Sequence, residues 1–243
     1  MFKNISALLY PPRCGACKTL LHPDRKWCSQ CWTQIARSTA REYCRACGSN
    51  LGPHQSINSK GKCSVCRKLK LPFEGICRLG AYEASLSQAV INFKFHHSFS
   101  TGQILADMLA ETLKEQSWID TLDAFCAIPI HWTRRIDRGF NQSQILADRI
   151  SQIIQIPVIK LLKRKIPTIR QVGLSAARRK ENVKNIFKQI KKWPVEGTSI
   201  CLIDDVMTTG STLSEAAKTL RRAGAEKVYA AVLAKADDTR FDS

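Results

Sequence analysis

Two adjacent carboxylates, Asp204 and Asp205, close the apolar run in ICLIDDVMTTGSTL (200–213), and Thr208, Thr209, Gly210, Ser211 and Thr212 follow at once. A turn of small residues leading into a helix exposes successive backbone N–H groups. Hydroxyls add further donors, and the helix N-terminus adds positive potential, which together make a cradle for a monophosphate. The two acids cannot bind phosphate, but beside it they suit ribose hydroxyls or a magnesium ion. A 5-phosphorylated ribose with a metal uses both halves. A capped helix after an ordinary strand would account for Thr209 or Ser211, but not for the acid pair. The stretch has neither the Gly-Lys-Ser/Thr of a Walker loop nor a dinucleotide fingerprint.

The second set of chemistry-bearing residues is at the other end of the chain. Eight of the 11 cysteines fall in four Cys-x-x-Cys pairs: Cys14 and Cys17, Cys28 and Cys31, Cys44 and Cys47, Cys63 and Cys66. Each such turn points two sulfurs at one spot, and two turns complete a tetrahedral thiolate site for zinc. Spacers of 10 and 15 residues between turns suit zinc ribbons. Pairing first with second and third with fourth is the simpler arrangement; a crossed one is open. His22 lies inside the first ribbon loop, but four cysteines already fill that site. A disulfide framework fits a secreted chain, and the start MFKNISALLYPPRCGAC lacks an export signal. A cytoplasmic location is expected, with two structural zinc ions supplying much of the folding energy of residues 1–70. Cys77, Cys126 and Cys201 sit among apolar neighbours as core residues. His96, His97 and His131 show no metal-ligand spacing.

The elements that must position these groups follow from hydrophobic periodicity. FEGICRLGAYEA reads as a strand or hairpin, SLSQAVINFKFHH as a helix, and TGQILADMLAETLKEQ as a clearer helix capped by Thr101. LDAFCAIPI is a strand, NQSQILADRISQII a helix starting near Asn141 and stopped by Pro157, and IPVIKLLKR strand-like. TSICLIDDV is the most buried strand, STLSEAAKTLRRAGA a helix and KVYAAVLAKA a last strand. Strands alternating with helices predict an α/β fold, a parallel sheet covered on both faces. No stretch is long and apolar enough to insert in a membrane.

Of 243 residues, 38 are basic and 20 acidic, a net charge of +18. Residues 1–70 carry +11, 71–125 carry −4, 126–195 carry +13 and 196–243 carry −2. Such segregation points to a polyanionic partner, nucleic acid above all. Trp27, Trp32, Tyr43, Trp132, Phe140 and Trp193 lie near basic residues and are candidates for stacking on bases.

CLIDDVMTTGSTL closely resembles the phosphoribosyl-pyrophosphate (PRPP) signature of type I phosphoribosyltransferases. The order of cysteine pairs, RRIDRGFNQSQILA (134–147), QVGLSAARRKENVKNIF (171–187) and that signature resembles the ComF/GntX group over nearly the whole chain. The resemblance implies a type I phosphoribosyltransferase-like domain over 71–243 behind a double zinc ribbon over 1–70. It implies that Asp204 and Asp205 hold the ribose or its magnesium shell, and that Thr208 to Thr212 bind the 5-phosphate. Arg134, Arg135 and Arg138 would then contact pyrophosphate, and Arg178, Arg179 and Lys180 would belong to a mobile loop over the reacting centre. It further implies PRPP as ligand, a link to natural transformation with single-stranded DNA, and a competence helicase or recombination mediator as partner. A phosphoribosyltransferase acting on a small nucleobase-like or amine acceptor, without nucleic acid, is the alternative. No base-reading motif stands out in 71–125, which favours DNA handling.

Overall fold

The computed structural model describes residues 11–52, 56–95, 98–130, 139–165 and 185–236. Helix α1 (Ser29–Thr39) belongs to the first cysteine module, and strand β1 (Gly75–Ala81) opens the larger unit. Helices α2 (Ala84–Phe95) and α3 (Phe99–Lys114) follow, then a short 3₁₀ turn (Ile119–Thr121), β2 (Ala124–Ala127) and α4 (Gln142–Ile154). The chain continues through β3 (Leu162–Arg164), β4 (Phe187–Gln189), β5 (Ser199–Met207), α5 (Ser211–Arg222) and β6 (Lys227–Lys235).

Strands β1, β6, β5 and β2, in that order, form a four-stranded sheet with every pairing parallel. Its central strands are apolar along most of their length because both faces are covered. On β5, Cys201 and Ile203 face a core built with α2, α3 and α4, while Ile200 and Leu202 face the core under α5. On β6 the same alternation sends Tyr229, Ala231 and Leu233 one way and Val228, Ala230 and Val232 the other. Cys77, Cys126 and Cys201 are fully buried core residues, as their apolar neighbours suggest. Desolvation pushes the Cys77 thiol up to about 12 and that of Cys126 to about 11, which leaves both inert near neutral pH.

Two local expectations need correction. Thr101 does not cap α3: the helix begins at Phe99 with Ser98 in the cap position, and Thr101 is buried with its hydroxyl 2.7 Å from that of Ser98. The strand-like IPVIKLLKR adds only one isolated bridge to the sheet, Val158 to Phe125, and then pairs β3 antiparallel with β4.

The cysteine modules are joined to this unit by packing. Trp27 and Ile35 enter the core that contains Phe93 and Leu105. The second module has a core of its four cysteines, with Ala46, Leu51 and Leu71 against them. It is tied to β1 by Arg78, which is 1% exposed and donates to the carbonyl of Gly48 at 2.8 Å. Among the described residues, no helix is long and apolar enough to cross a membrane.

Candidate phosphate pocket and zinc sites

Strand β5 delivers Asp204 and Asp205 to its carboxyl end, where the next helix begins, the usual ligand position of an open α/β sheet. Gly210 stands at the cap of α5 with φ +73°, and a Cβ there would lie 2.4 Å from Cε of Met207. The positive φ favours glycine at that bend, which turns the chain from strand into helix within three residues, Thr208 to Gly210. The Thr209 and Ser211 hydroxyls are 2.8 Å apart at the mouth of α5. The first amides of a helix have no acceptor within it, and its dipole adds positive potential. The turn and both acids line one cavity of about 250 Å³, so the structure brings Asp204, Asp205 and Thr208 to Thr212 together.

The opposite wall explains a motif whose purpose is hidden in the sequence. In Asn141-Gln142-Ser143, three consecutive side chains each hold a different part of the pocket. Asn141 donates to the carbonyl of Ile128 just past the end of β2 at 3.1 Å, and Gln142 donates to the carbonyl of Lys94 at 3.2 Å. The Ser143 hydroxyl donates to Oδ1 of Asp204 at 2.9 Å. The start of α4 thereby ties together β2, α2 and β5.

Sequence reasoning misses Lys94, and with it Tyr82, Ser143 and Arg164, all of which line the cavity. The Lys94 ammonium is 2.8 Å from Oδ2 of Asp205. Nothing local marks it, because its partner is at the far end of another element. The pKa of Asp204 is displaced. Burial first, then the Asp205 charge, push it up to about 7, against the hydrogen bonds from the Asp205 amide and Ser143 and the charge of Lys94. Arg134, Arg135, Arg138, Arg178, Arg179 and Lys180 lie outside the described residues.

The cysteines pair in sequential order. Cys14, Cys17, Cys28 and Cys31 form one group, and Cys44, Cys47, Cys63 and Cys66 the other, the sulfurs of each lying within 4.8 Å of one another. Four sulfurs at about 2.3 Å from a zinc ion stand about 3.8 Å apart. The contacts Cys17–Cys28, Cys44–Cys66 and Cys47–Cys63 are each 3.7 Å, and Cys63–Cys66 is 3.8 Å, so both groups fit zinc and none of these pairs is a disulfide. Both knuckles close in the same way: the amides of Lys18 and Gly48 bond back to the carbonyls of Cys14 and Cys44, each from a positive φ. His22 is outside the cluster, exposed beside Asp24.

Residues 5–67 match the model of a double zinc ribbon domain, and residues 143–243 that of a phosphoribosyl transferase domain. Competence protein F of Haemophilus influenzae is 33% identical over 230 residues, covering 92% of this chain and 97% of that protein. DNA utilization protein YhgH of Escherichia coli K12 is 30% identical over 227 residues, covering 91% and 96%. Among solved structures, glutamine PRPP amidotransferase from B. subtilis superposes with a TM-score of 0.41 at 20% identity, covering 59% of this chain and 30% of that one. Two four-cysteine zinc sites in front of a parallel phosphoribosyltransferase-like sheet, in a chain that competence protein F and YhgH match nearly end to end, place it in the competence protein F family.

Proposed function

We propose that the chain binds PRPP with magnesium in the pocket at the end of β5 and handles incoming single-stranded DNA during natural transformation. The observation that carries the first half is the single cavity lined by both carboxylates and by the whole Thr208–Thr212 turn. In this reading the turn holds the 5-phosphate, and Asp204 and Asp205 hold the ribose hydroxyls or the metal's water shell. Arg134, Arg135 and Arg138 meet the pyrophosphate, and Arg178, Arg179 and Lys180 close over it. Magnesium, when bound, offsets the charge of the diphosphate. Residues 71–243 are the unit that binds PRPP, and residues 1–70 are the ribbon unit.

The raised pKa of Asp204 gives this reading a pH signature. A carboxyl whose folded pKa exceeds its unfolded value stabilises the fold below the unfolded value, and that contribution is lost as pH rises through the folded one. Ligand binding runs the other way, since an ionised Asp204 is what a cation attracts. Magnesium-dependent PRPP affinity should rise as pH passes through about 7, and Asp205→Asn should move the midpoint down by removing the neighbouring charge. Isothermal titration across a pH series reads this directly; a flat profile would remove Asp204 from the metal shell.

Support for DNA comes from how the basic residues are placed. Across the antiparallel β3–β4 pair Lys163 stands directly opposite Lys188, both exposed, with Lys191 and Lys192 close in sequence and also exposed. Like charges facing each other across a sheet are destabilising unless an anion lies over them. Residues 43–70 of the second ribbon also carry only basic charges. Of the aromatic candidates, Trp32 and Trp193 are half exposed and can stack on a base. Trp27 is buried, Tyr43 lies under the Arg78 guanidinium, and the Phe140 ring packs on Phe93 and Phe99; Trp132 lies outside the described residues. We place the encounter in the cytoplasm, with a competence helicase or recombination mediator handing over the strand.

Fluorescence anisotropy with a labelled oligonucleotide over a salt series tests the second half. Each phosphate neutralised on single-stranded DNA contributes about −0.7 to the slope of log affinity against log salt. Lys163→Gln with Lys188→Gln should flatten that slope by about 1.4. Absence of DNA binding at any salt would turn the reading to a phosphoribosyltransferase with a small acceptor, to be sought by pyrophosphate release.

A further inference from the structure

Helix α2 is held twice by the first zinc ribbon before it reaches the pocket. Near its start, Ser85 donates to the side chain of Gln34 on α1 at 2.7 Å. Near its end Asn92, 2% exposed, donates to the carbonyls of Gly15 and Ala16 at 2.8 and 2.6 Å. These are the two residues between Cys14 and Cys17, the turn that a zinc ion closes. Gln88 donates to Oδ1 of Asn92 at 3.4 Å and so fixes which end of the amide faces the knuckle. The knuckle packs closely on α3: a Cβ on Gly15 would lie 2.9 Å from Thr101, and 2.8 Å from Trp27 of the same ribbon. Two residues beyond Asn92 the helix presents Lys94, 22% exposed, to Asp205.

We propose that the first zinc knuckle positions the cation of the phosphate pocket. Its turn carbonyls hold Asn92, Asn92 fixes the last turn of α2, and that turn presents Lys94 to Asp205 and to the phosphate groups of a bound sugar phosphate. The inference rests on the PRPP reading and adds regulation to it. Lys94 offsets the charge of Asp205, so an arriving anion meets one uncompensated carboxylate instead of two. It is also a donor for the anion itself. Asn92 is a positioning residue, since it touches the knuckle and not the ligand. Zinc at the first site thereby raises the anion affinity of a pocket that the zinc does not line.

Titration calorimetry with PRPP and magnesium, on zinc-loaded full-length protein, tests the link. Lys94→Gln should weaken binding about tenfold or more, the loss expected for a charged hydrogen bond, and Lys94→Arg should restore most of it. Asn92→Leu should weaken binding comparably while the zinc ions of both four-cysteine sites stay in place by metal analysis. The double variant Asn92→Leu with Lys94→Gln should bind no more weakly than Lys94→Gln alone, because both changes act through the same lysine. Cys17→Ser should lose one zinc and fall to the same level. Wild-type affinity in folded, zinc-loaded Asn92→Leu would overturn the inference, as would multiplying losses in the double variant. If Asn92→Leu does not fold, Asn92→Ser, which shortens the donor, decides between the same two outcomes. A wild-type protein that fails to bind PRPP would instead refute the reading on which the inference rests.

Discussion

Replacing Asp204 and Asp205 together by asparagine should abolish PRPP binding and leave both zinc ions bound. The substitution keeps the volume of two partly or fully buried side chains, so it opens no cavity in β5. Ser143 and the backbone amide of residue 205 can still donate to an asparagine oxygen at position 204. What disappears is the charge that attracts a metal shell and strengthens hydrogen bonds to ribose hydroxyls. Hydrogen bonds to charged groups are worth about 1.5–3 kcal/mol each, so two give a loss of at least about a hundredfold. The zinc sites are built from the N-terminal module alone and should be indifferent. Equilibrium dialysis with labelled PRPP, paired with zinc analysis, checks both parts; retained affinity would refute the site.

The other large effect concerns stability. Arg78→Met should lower the unfolding free energy by about 3 kcal/mol, because it takes the donor from one buried acceptor and from two part-buried ones. The guanidinium donates to the carbonyls of Gly48 at 2.8 Å and Arg41 at 3.4 Å and to the Asn50 side chain, and it lies 4.7 Å from the centre of the Tyr43 ring. Methionine fills much of the same space and satisfies none of these groups. The second ribbon would then be held to β1 by the Ile76 amide on the Arg45 carbonyl, by the amide of residue 78 on the Tyr43 hydroxyl and by the packing of Gly48 against Ile76. Thermal denaturation in zinc-saturated buffer measures the change; a shift under about 1 kcal/mol would show that Arg78 is not the tie.

These two residue sets differ in how far they can be read from sequence. Asp204 and Asp205 follow an apolar run and precede a glycine turn, so their place at a strand end is a local property. The zinc ligands are legible for the same reason: each half-site is one tight turn, and sequential pairing of the turns is what the structure has. Arg78 is different. Two of its partners are backbone carbonyls 30 and 37 residues upstream, which carry no sequence signature, and nothing local links it to the other two, Asn50 and Tyr43. Lys94 lies in the last turn of a helix that reads as ordinary, and its function depends on how α2 meets the end of β5, a tertiary fact. Asn141, Gln142 and Ser143 form a visible motif, yet each bonds to a different element, so the sequence marks the motif and hides its purpose. The cap of α3 is ambiguous in sequence because Ser98 and Thr101 are both good capping types; the helix starts at Phe99, which puts Ser98 at the cap position, where its side chain makes no capping bond, and Thr101 inside the first turn.

The central claim is that the turn after β5 binds the phosphate of a phosphorylated ribose beside a carboxylate pair. The most direct test is titration calorimetry of PRPP into zinc-loaded wild-type protein, with magnesium and again in magnesium-free buffer. The account predicts saturable binding of one PRPP per chain with magnesium and much weaker binding without it. No heat of binding with magnesium present, in protein shown to be folded and zinc-loaded, would contradict it.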